Sequence, residues 1–255
     1  MASITSFEIK YETAPNVSPP YCYYYHIRGQ VTASGLEIDF EWVYHNREEF
    51  TQEDLEDEGF TGQDGFSWQG SIAGIWLTPL EKLLRRTRPV PPSDDETVPF
   101  FEIGVEAQSG QGFQGSPDSI PEWEYFMQEF VQSIYETSGK EAPLLIRYKK
   151  ITDEITLYCS VRMLFKDRQV TLQTRRGDAK LQQKTGNWEE MKRGMEQIFA
   201  LDYISEKAET REPHYPGTYI DIGENTWYTF GETVLNPSAK AKNLAAIEQF
   251  FDKQI

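Results

Sequence analysis

The strongest constraint on this chain is an order of local patterns that comes twice: a group of period-two segments closed by a helical stripe. In the first group Ser3–Tyr11 alternates, and Tyr21–Val31 and Leu36–Tyr44 flank the turn Thr32-Ala33-Ser34-Gly35. Successive side chains of a strand point to opposite faces. Leu36, Ile38, Phe40 and Trp42 therefore share one face, and Glu37, Asp39 and Glu41 the other. Pairing across the turn sets Arg28 opposite Asp39 and His26 opposite Glu41, which gives His26 a place on a solvated face.

Residues 46–65 form an acidic stretch with room for a short helix, then a glycine-rich loop around Gly62-Gln63-Asp64-Gly65. Phe66–Leu77 reads as a further strand. Thr78-Pro79-Leu80-Glu81 then offers an N-cap, a proline at the first helical position and a capping acid, predicting a short helix to Arg86. Arg88–Pro99 is rich in Pro and acid, so it is expected as a loop or linker. Phe100–Gln108 is a strand. Ser119-Ile120-Pro121-Glu122 opens a helix that Gly139 stops, with Trp123, Phe126, Met127, Phe130 and Ile134 on one apolar stripe.

The second group repeats the recipe. Leu144–Lys150, Glu154–Phe165 and Gln169–Arg176 are strands joined by tight turns near Ile151-Thr152 and Asp167-Arg168. Asn187 caps a helix whose Trp188, Met191, Met195, Ile198 and Phe199 face inward. Thr218–Ile222 and Thr226–Leu235 are further strands, and a closing helix spans Pro237–Asp252 with Leu244, Ile247 and Phe251 inward. Hairpins followed by helices predict an α+β protein of two similar halves, each an antiparallel sheet packed against one or two helices. No sequence identity links the halves, so internal duplication is an expectation of pattern.

Charge divides the chain at the same place. Residues 1–140 hold 24 Asp and Glu against 8 Lys and Arg, whereas residues 141–255 hold 17 of each. Within the neutral half, 147–193 has 12 Lys and Arg against 6 acids. The expected domains are an acidic half, 1–140, and a neutral half, 141–255, with a basic sheet, the two forming separate domains or one composite. A net charge of −16 disfavours duplex DNA and anionic membranes for the whole molecule. No apolar run approaches the roughly 20 residues that span a bilayer. The N-terminal residues carry neither a basic run nor an apolar stretch of the secretory kind, so a cytoplasmic setting is expected. Two cysteines, Cys22 and Cys159, make no disulfide framework, and Cys159 falls on an apolar strand parity.

Gly110-Gln111-Gly112-Phe113-Gln114-Gly115 spells a dinucleotide-loop motif. Such glycines must stand at a helix entrance, where free backbone N–H groups meet pyrophosphate. Here no helix starts before Ile120, and the preceding strand carries Glu102 and Glu106, so a mobile loop is expected and no cofactor. The histidines His26, His45 and His214 are scattered, which predicts no metal site. Carboxylates crowd residues 37–64 without marking any pair for acid–base work.

The best candidate surface is the polar face of the second sheet. Tyr158, Ser160 and Arg162 alternate with the apolar Leu157, Cys159, Val161 and Met163. The two turns set Arg147 opposite Thr156, Lys149 opposite Glu154, Ser160 opposite Arg175 and Arg162 opposite Gln173. One face then carries Arg147, Lys149, Tyr158, Arg162, Gln173 and Arg175. The leading expectation is a non-catalytic cytoplasmic binding protein, an adaptor, inhibitor or chaperone, that engages a protein partner by charge complementarity. The alternative is a single-stranded nucleic acid held on that face by phosphate contact and stacking. A hydrolase using carboxylates of the first half is a third.

Overall fold

Alternation becomes pairing in the computed structural model, which describes residues 4–61, 64–108, 110, 112–238 and 240–255. The residues fall into two compact units, Met1–Lys140 and Glu141–Ile255. In the first, β1 (Ile4–Glu12), β2 (Tyr23–Thr32) and β3 (Gly35–Tyr44) precede α1 (Gln52–Asp57) and β4 (Phe66–Ile72). Then come α2 (Leu77–Leu84), β5 (Pro89–Val90), β6 (Phe100–Ala107), β7 (Phe113–Pro117) and α3 (Ile120–Ser138). The second unit holds β8 (Leu144–Ile151), β9 (Thr156–Leu164), β10 (Gln169–Arg176), β11 (Gln182–Thr185) and α4 (Trp188–Phe199). It ends with β12 (Asp202–Tyr203), β13 (Gly217–Asp221), β14 (Tyr228–Thr229), β15 (Val234–Leu235) and α5 (Asn243–Gln254).

Both main sheets are antiparallel throughout, and the protein is α+β. Their strand orders are β4-β3-β2-β1-β6-β7-β5 and β11-β10-β9-β8-β13-β14. In each, four strands form a meander, and the chain returns through a helix to pair beside the meander's first strand. The two orders correspond strand for strand over six strands, so the repeated pattern is a repeat of topology.

Helices cover one face of each sheet. Phe7, Ile9, Ile27, Phe40 and Ile103 of the first sheet pack with Leu80 and Leu84 of α2 and with Trp123, Phe130 and Ile134 of α3. Ile146, Tyr148, Val161 and Leu172 of the second pack with Met191 and Ile198 of α4 and with Ile247 and Phe251 of α5. Each such fully buried side chain contributes about 1.5–3 kcal/mol of transfer free energy. Cys159 lies in this second core, where burial pushes its thiol up to about 12.

Several expectations change. The strand expected over Phe66–Leu77 ends at Ile72, because Gly74–Trp76 winds into a 3-10 turn that runs straight into α2. The helix N-cap is consequently Trp76, and Thr78 lies inside the helix. Ser119 caps α3 without a side-chain hydrogen bond. Within Arg88–Pro99, Pro89 and Val90 pair with Pro117 and Ser116. The motif around Gly110 is no simple loop: Phe113–Pro117 is a strand between β6 and β5, and Gly115 sits at φ 140° where an added Cβ would lie 3.2 Å from Pro89. Phe199 is 52% exposed, since it ends α4 one step beyond the inward Ile198. The final strand splits into β14 and β15 around a turn, β11 is an extra edge strand, and the closing helix starts at Asn243. Ser3, Gly62, Gln63, Gln111 and Ala239, which those expectations include, lie outside the described residues.

Candidate functional site

The outward face of the second sheet follows from strand parity. Tyr148, Cys159, Val161, Leu172 and Ile220 point to the helices, so their neighbours point away. Arg147 and Lys149 of β8, Tyr158, Ser160 and Arg162 of β9, Thr171, Gln173 and Arg175 of β10, and Tyr219 and Asp221 of β13 share that outward parity. All six nominated residues, Arg147, Lys149, Tyr158, Arg162, Gln173 and Arg175, are therefore on one face.

Their pairing differs from the sequence reading. Arg147 stands opposite Ser160, Lys149 opposite Tyr158, Ser160 opposite Gln173 and Arg175 opposite Tyr158. The turns are longer than expected, spanning Thr152–Ile155 and Phe165–Arg168. Each correction shifts the register by an even number of residues, and an even slip keeps every side chain on its face.

The face has two ends of different character. At one, Arg147 forks onto Asp221, with Nε donating to Oδ2 at 2.8 Å and Nη2 donating to the same oxygen and to Asn225 Oδ1. Asp221 is 0% exposed, and its other oxygen accepts from the backbone N–H groups of Gly223 and Glu224. The Arg147 guanidinium also lies 5.2 Å from the centre of the buried Trp227 ring. Beside it, Lys149 has a side chain only 6% exposed, and its Nζ donates 2.7 Å bonds to Glu212 Oε1 and to the Pro213 carbonyl. The Lys149 bond, first among the causes, holds the Glu212 carboxyl below the usual carboxylate range. The segment before β13 thus covers this end of the sheet, its entry fixed by paired backbone bonds between Glu209 and Trp227.

The other end is open. Arg162 is exposed and makes no hydrogen bond or ion pair among the described residues. Arg175 is exposed as well and lies 5.7 Å over the half-buried Tyr158 ring. Among the described residues Gln173 hydrogen-bonds only Gln183 of the edge strand, at 3.3 Å. Tyr215, 80% exposed, belongs to the segment covering the first end, where its carbonyl accepts from the Tyr219 hydroxyl.

Sequence reasoning missed Asp221, Asn225, Glu212, Pro213 and Trp227. Parity within Thr218–Ile222 puts Asp221 on a polar face, but nothing local says that this strand pairs with β8. Glu212 and Pro213 belong to a loop with no period, so no signal precedes them. Comparison with protein-family models, curated proteins and solved structures finds no match to this chain.

Among the described residues no helix is long and apolar enough to cross a membrane.

Proposed function

We propose that the protein is a non-catalytic cytoplasmic binding protein whose second sheet receives an acidic segment of a partner protein. The observation that carries the reading is the exposed Arg162 guanidinium, which makes no ion pair among the described residues, with the exposed Arg175 over Tyr158 and near Glu212, on a face whose other cations, Arg147 and Lys149, are engaged. Arginine presents a planar fork suited to carboxylates, and a partner carboxylate there meets the Arg162 charge, which has no ion pair among the described residues. Gln173, partly exposed between the two arginines, adds hydrogen-bonding capacity. Arg147 and Lys149 act in this reading as supports of the face rather than as partner contacts.

The test is fluorescence anisotropy with a short labelled Glu-rich peptide and, separately, a labelled oligothymidylate. The reading expects salt-sensitive binding of the peptide and a loss of at least about tenfold in R162E/R175E. That variant should keep its fold, since surface changes stay within about 0.5 kcal/mol each. Peptide binding that the double substitution leaves intact overturns the reading. Tighter binding of the oligonucleotide, weakened by Tyr158→Ala, replaces it with single-strand recognition.

A further inference from the structure

The edge of a sheet presents a row of backbone N–H and C=O groups, and folds blunt it with short strands, Pro, Lys or a covering element. Three of the four outer strands of the two main sheets follow that rule. β5 is Pro89–Val90, β14 is Tyr228–Thr229, and β11 has four residues with Lys184 among them. β4 does not follow it. Its seven residues, Phe66-Ser67-Trp68-Gln69-Gly70-Ser71-Ile72, include neither a charge nor a proline, in the half of the chain that holds 24 acids against 8 bases. Ser67, Gln69 and Ser71 are all exposed.

The ladder fixes which backbone groups of β4 point away from the sheet. The Tyr23 carbonyl accepts from Thr13 N–H beside β1, and the Cys22 carbonyl accepts from His45 N–H beside β3. Hydrogen-bonded residues alternate along an antiparallel strand, so odd-numbered residues of β2 bond β1 and even-numbered ones bond β3. Carried through the register, Leu36, Ile38, Phe40 and Trp42 of β3 bond Ile72, Gly70, Trp68 and Phe66 of β4. Ser67, Gln69 and Ser71 therefore aim their N–H and C=O groups at the open side. Their side chains lie on the polar face, where the Ser71 hydroxyl donates to Glu37 at 3.0 Å and holds that acid on its own sheet. On the helix face Phe66 and Trp68 are only partly buried against the core, and the Trp68 indole lies over Gly70, leaving no room there for a Cβ.

We infer that β4 pairs antiparallel with β4 of a second copy of this chain, about a two-fold axis through Gln69. The strand is complementary to itself in that register. Gln69 meets Gln69 of the second copy and Ser67 meets Ser71, each pair exchanging two backbone bonds, so every outward group finds a partner. Phe66 meets Ile72, and Trp68 stands opposite Gly70, whose missing side chain leaves space for the two indoles to meet diagonally across the axis. Such a two-fold contact uses the same patch on both copies and closes on itself. Charge selects the place. Two copies this acidic repel, and β4 is the one long edge where they meet without a charged side chain on either strand. The acids of β3, Glu37, Asp39 and Glu41, then lie three strand spacings from their counterparts, about 14 Å, beyond the screening length of about 8 Å. This edge is in the first unit and stands independently of the proposed face on the second.

Sedimentation equilibrium of the whole protein up to about 500 µM tests the inference, since a contact this small is expected to be weak. A reversible monomer–dimer equilibrium is expected, and it should strengthen with salt, because salt screens the repulsion between acidic copies. Gln69→Pro removes an outward N–H and none that β3 uses, so it should weaken association at least about tenfold while the sheet stays intact. Gln69→Glu, which sets two carboxylates opposite each other, should do the same, and Gln183→Glu on the edge of the second sheet should change it less than about twofold. Cysteines report the register: hydrogen-bonded pairs stand about 5.5 Å apart at Cα, within reach of a disulfide. With diamide, Gln69→Cys should cross-link to itself, and Ser67→Cys only when mixed with Ser71→Cys; Cys22 and Cys159 are buried, so wild type is the blank. If Gln69→Pro does not fold, Gln69→Glu and the cysteines carry the test. A monomer at every concentration, a dimer that Gln69→Glu leaves intact, or self-cross-linking of Ser67→Cys overturns the inference. So does association that salt weakens, which is the mark of the acidic half of one copy meeting the basic face of another.

Discussion

Lys10 and Lys149 occupy corresponding places: each is an outward residue of the strand flanked by its hairpin partner and by the returning strand. Lys10 keeps 33% of its side chain exposed and pairs with Glu102 at 3.3 Å and Glu8 at 3.6 Å, both on its own sheet. The neighbouring Glu8 also accepts from His26 at 2.6 Å, and Arg28 bonds Asp39. Lys149 finds no carboxylate beside it on β9 or β13 and is closed over by a loop instead. Where the ladder neutralises its own charges, the face stays wet and self-sufficient. In the second sheet the Lys149 charge is met by Glu212 of a loop and the Arg147 charge by the buried Asp221 of β13, while Arg162 keeps an exposed guanidinium with no ion pair among the described residues.

The comparison breaks most visibly at Arg147. Replacing it by Met strands the fully buried Asp221 carboxylate, and losing one member of such a pair costs about 3–5 kcal/mol. Denaturant unfolding of R147M should show that loss in the second unit; a loss below about 1 kcal/mol means water reaches Asp221 and the two ends of the face are alike. Next in size is Gly29→Val in the first sheet. Phe7 lies across Gly29, so that an added Cβ falls 2.2 Å from Cζ of a ring packed edge-on to Phe130. Overpacking of this kind costs about 1–3 kcal/mol, read in the same unfolding experiment. An unchanged midpoint places the Phe7 ring elsewhere.

Acid sharpens the contrast further. The Glu212 carboxyl ionises at lower pH folded than unfolded, so its contribution is complete above the ordinary carboxylate range and disappears as pH falls through the lowered value. Melting of wild type and Glu212→Gln between neutral pH and pH 3 should converge at the acid end. Because the side chain is half exposed, the gap at neutral pH should be under about 1 kcal/mol. A constant gap at all pH values removes the Lys149 bond as its cause. The smallest effect is expected for Arg28→Met, an exposed ladder pair worth about 0.2–1 kcal/mol in the first unit. A larger cost there would show that the first face is as interlocked as the second.

Period-two alternation made the faces legible because parity survives imperfect turns. Arg28 does stand opposite Asp39, and His26 opposite Glu41, since the turn Ala33-Ser34 is as short as it reads. His26 nevertheless bonds Glu8 of β1, because the carboxylate that reaches its Nε2 lies across the other flank of β2. Long-range pairing stayed hidden: the partners of β1 and β8 on the returning side come from about 66 to 103 residues later, and no local pattern encodes that distance. The edge strand β11 was invisible too, since Gln182–Thr185 is exposed at every position and so shows no alternation. Helix stripes were read well because their burial follows the 3.6-residue period directly; the start of α3 after Ser119 also stands where it reads, though without the side-chain cap bond, whereas the 3-10 turn before α2 moves that start ahead of the Thr78 signal.

Gly139 ends α3 in the left-handed conformation at φ 78°, and every strand paired in the first sheet lies before it. On the ribosome this means that every strand paired in the first sheet has been synthesised before residue 141 is added. Domains generally fold as units in the order of their synthesis. A closed first sheet then has no unpaired internal strand to exchange with β8–β11, whose strand order it would otherwise match. Vectorial synthesis thereby separates two look-alike meanders in time, and a release of both halves together from denaturant should be the condition under which mispairing between them is greatest.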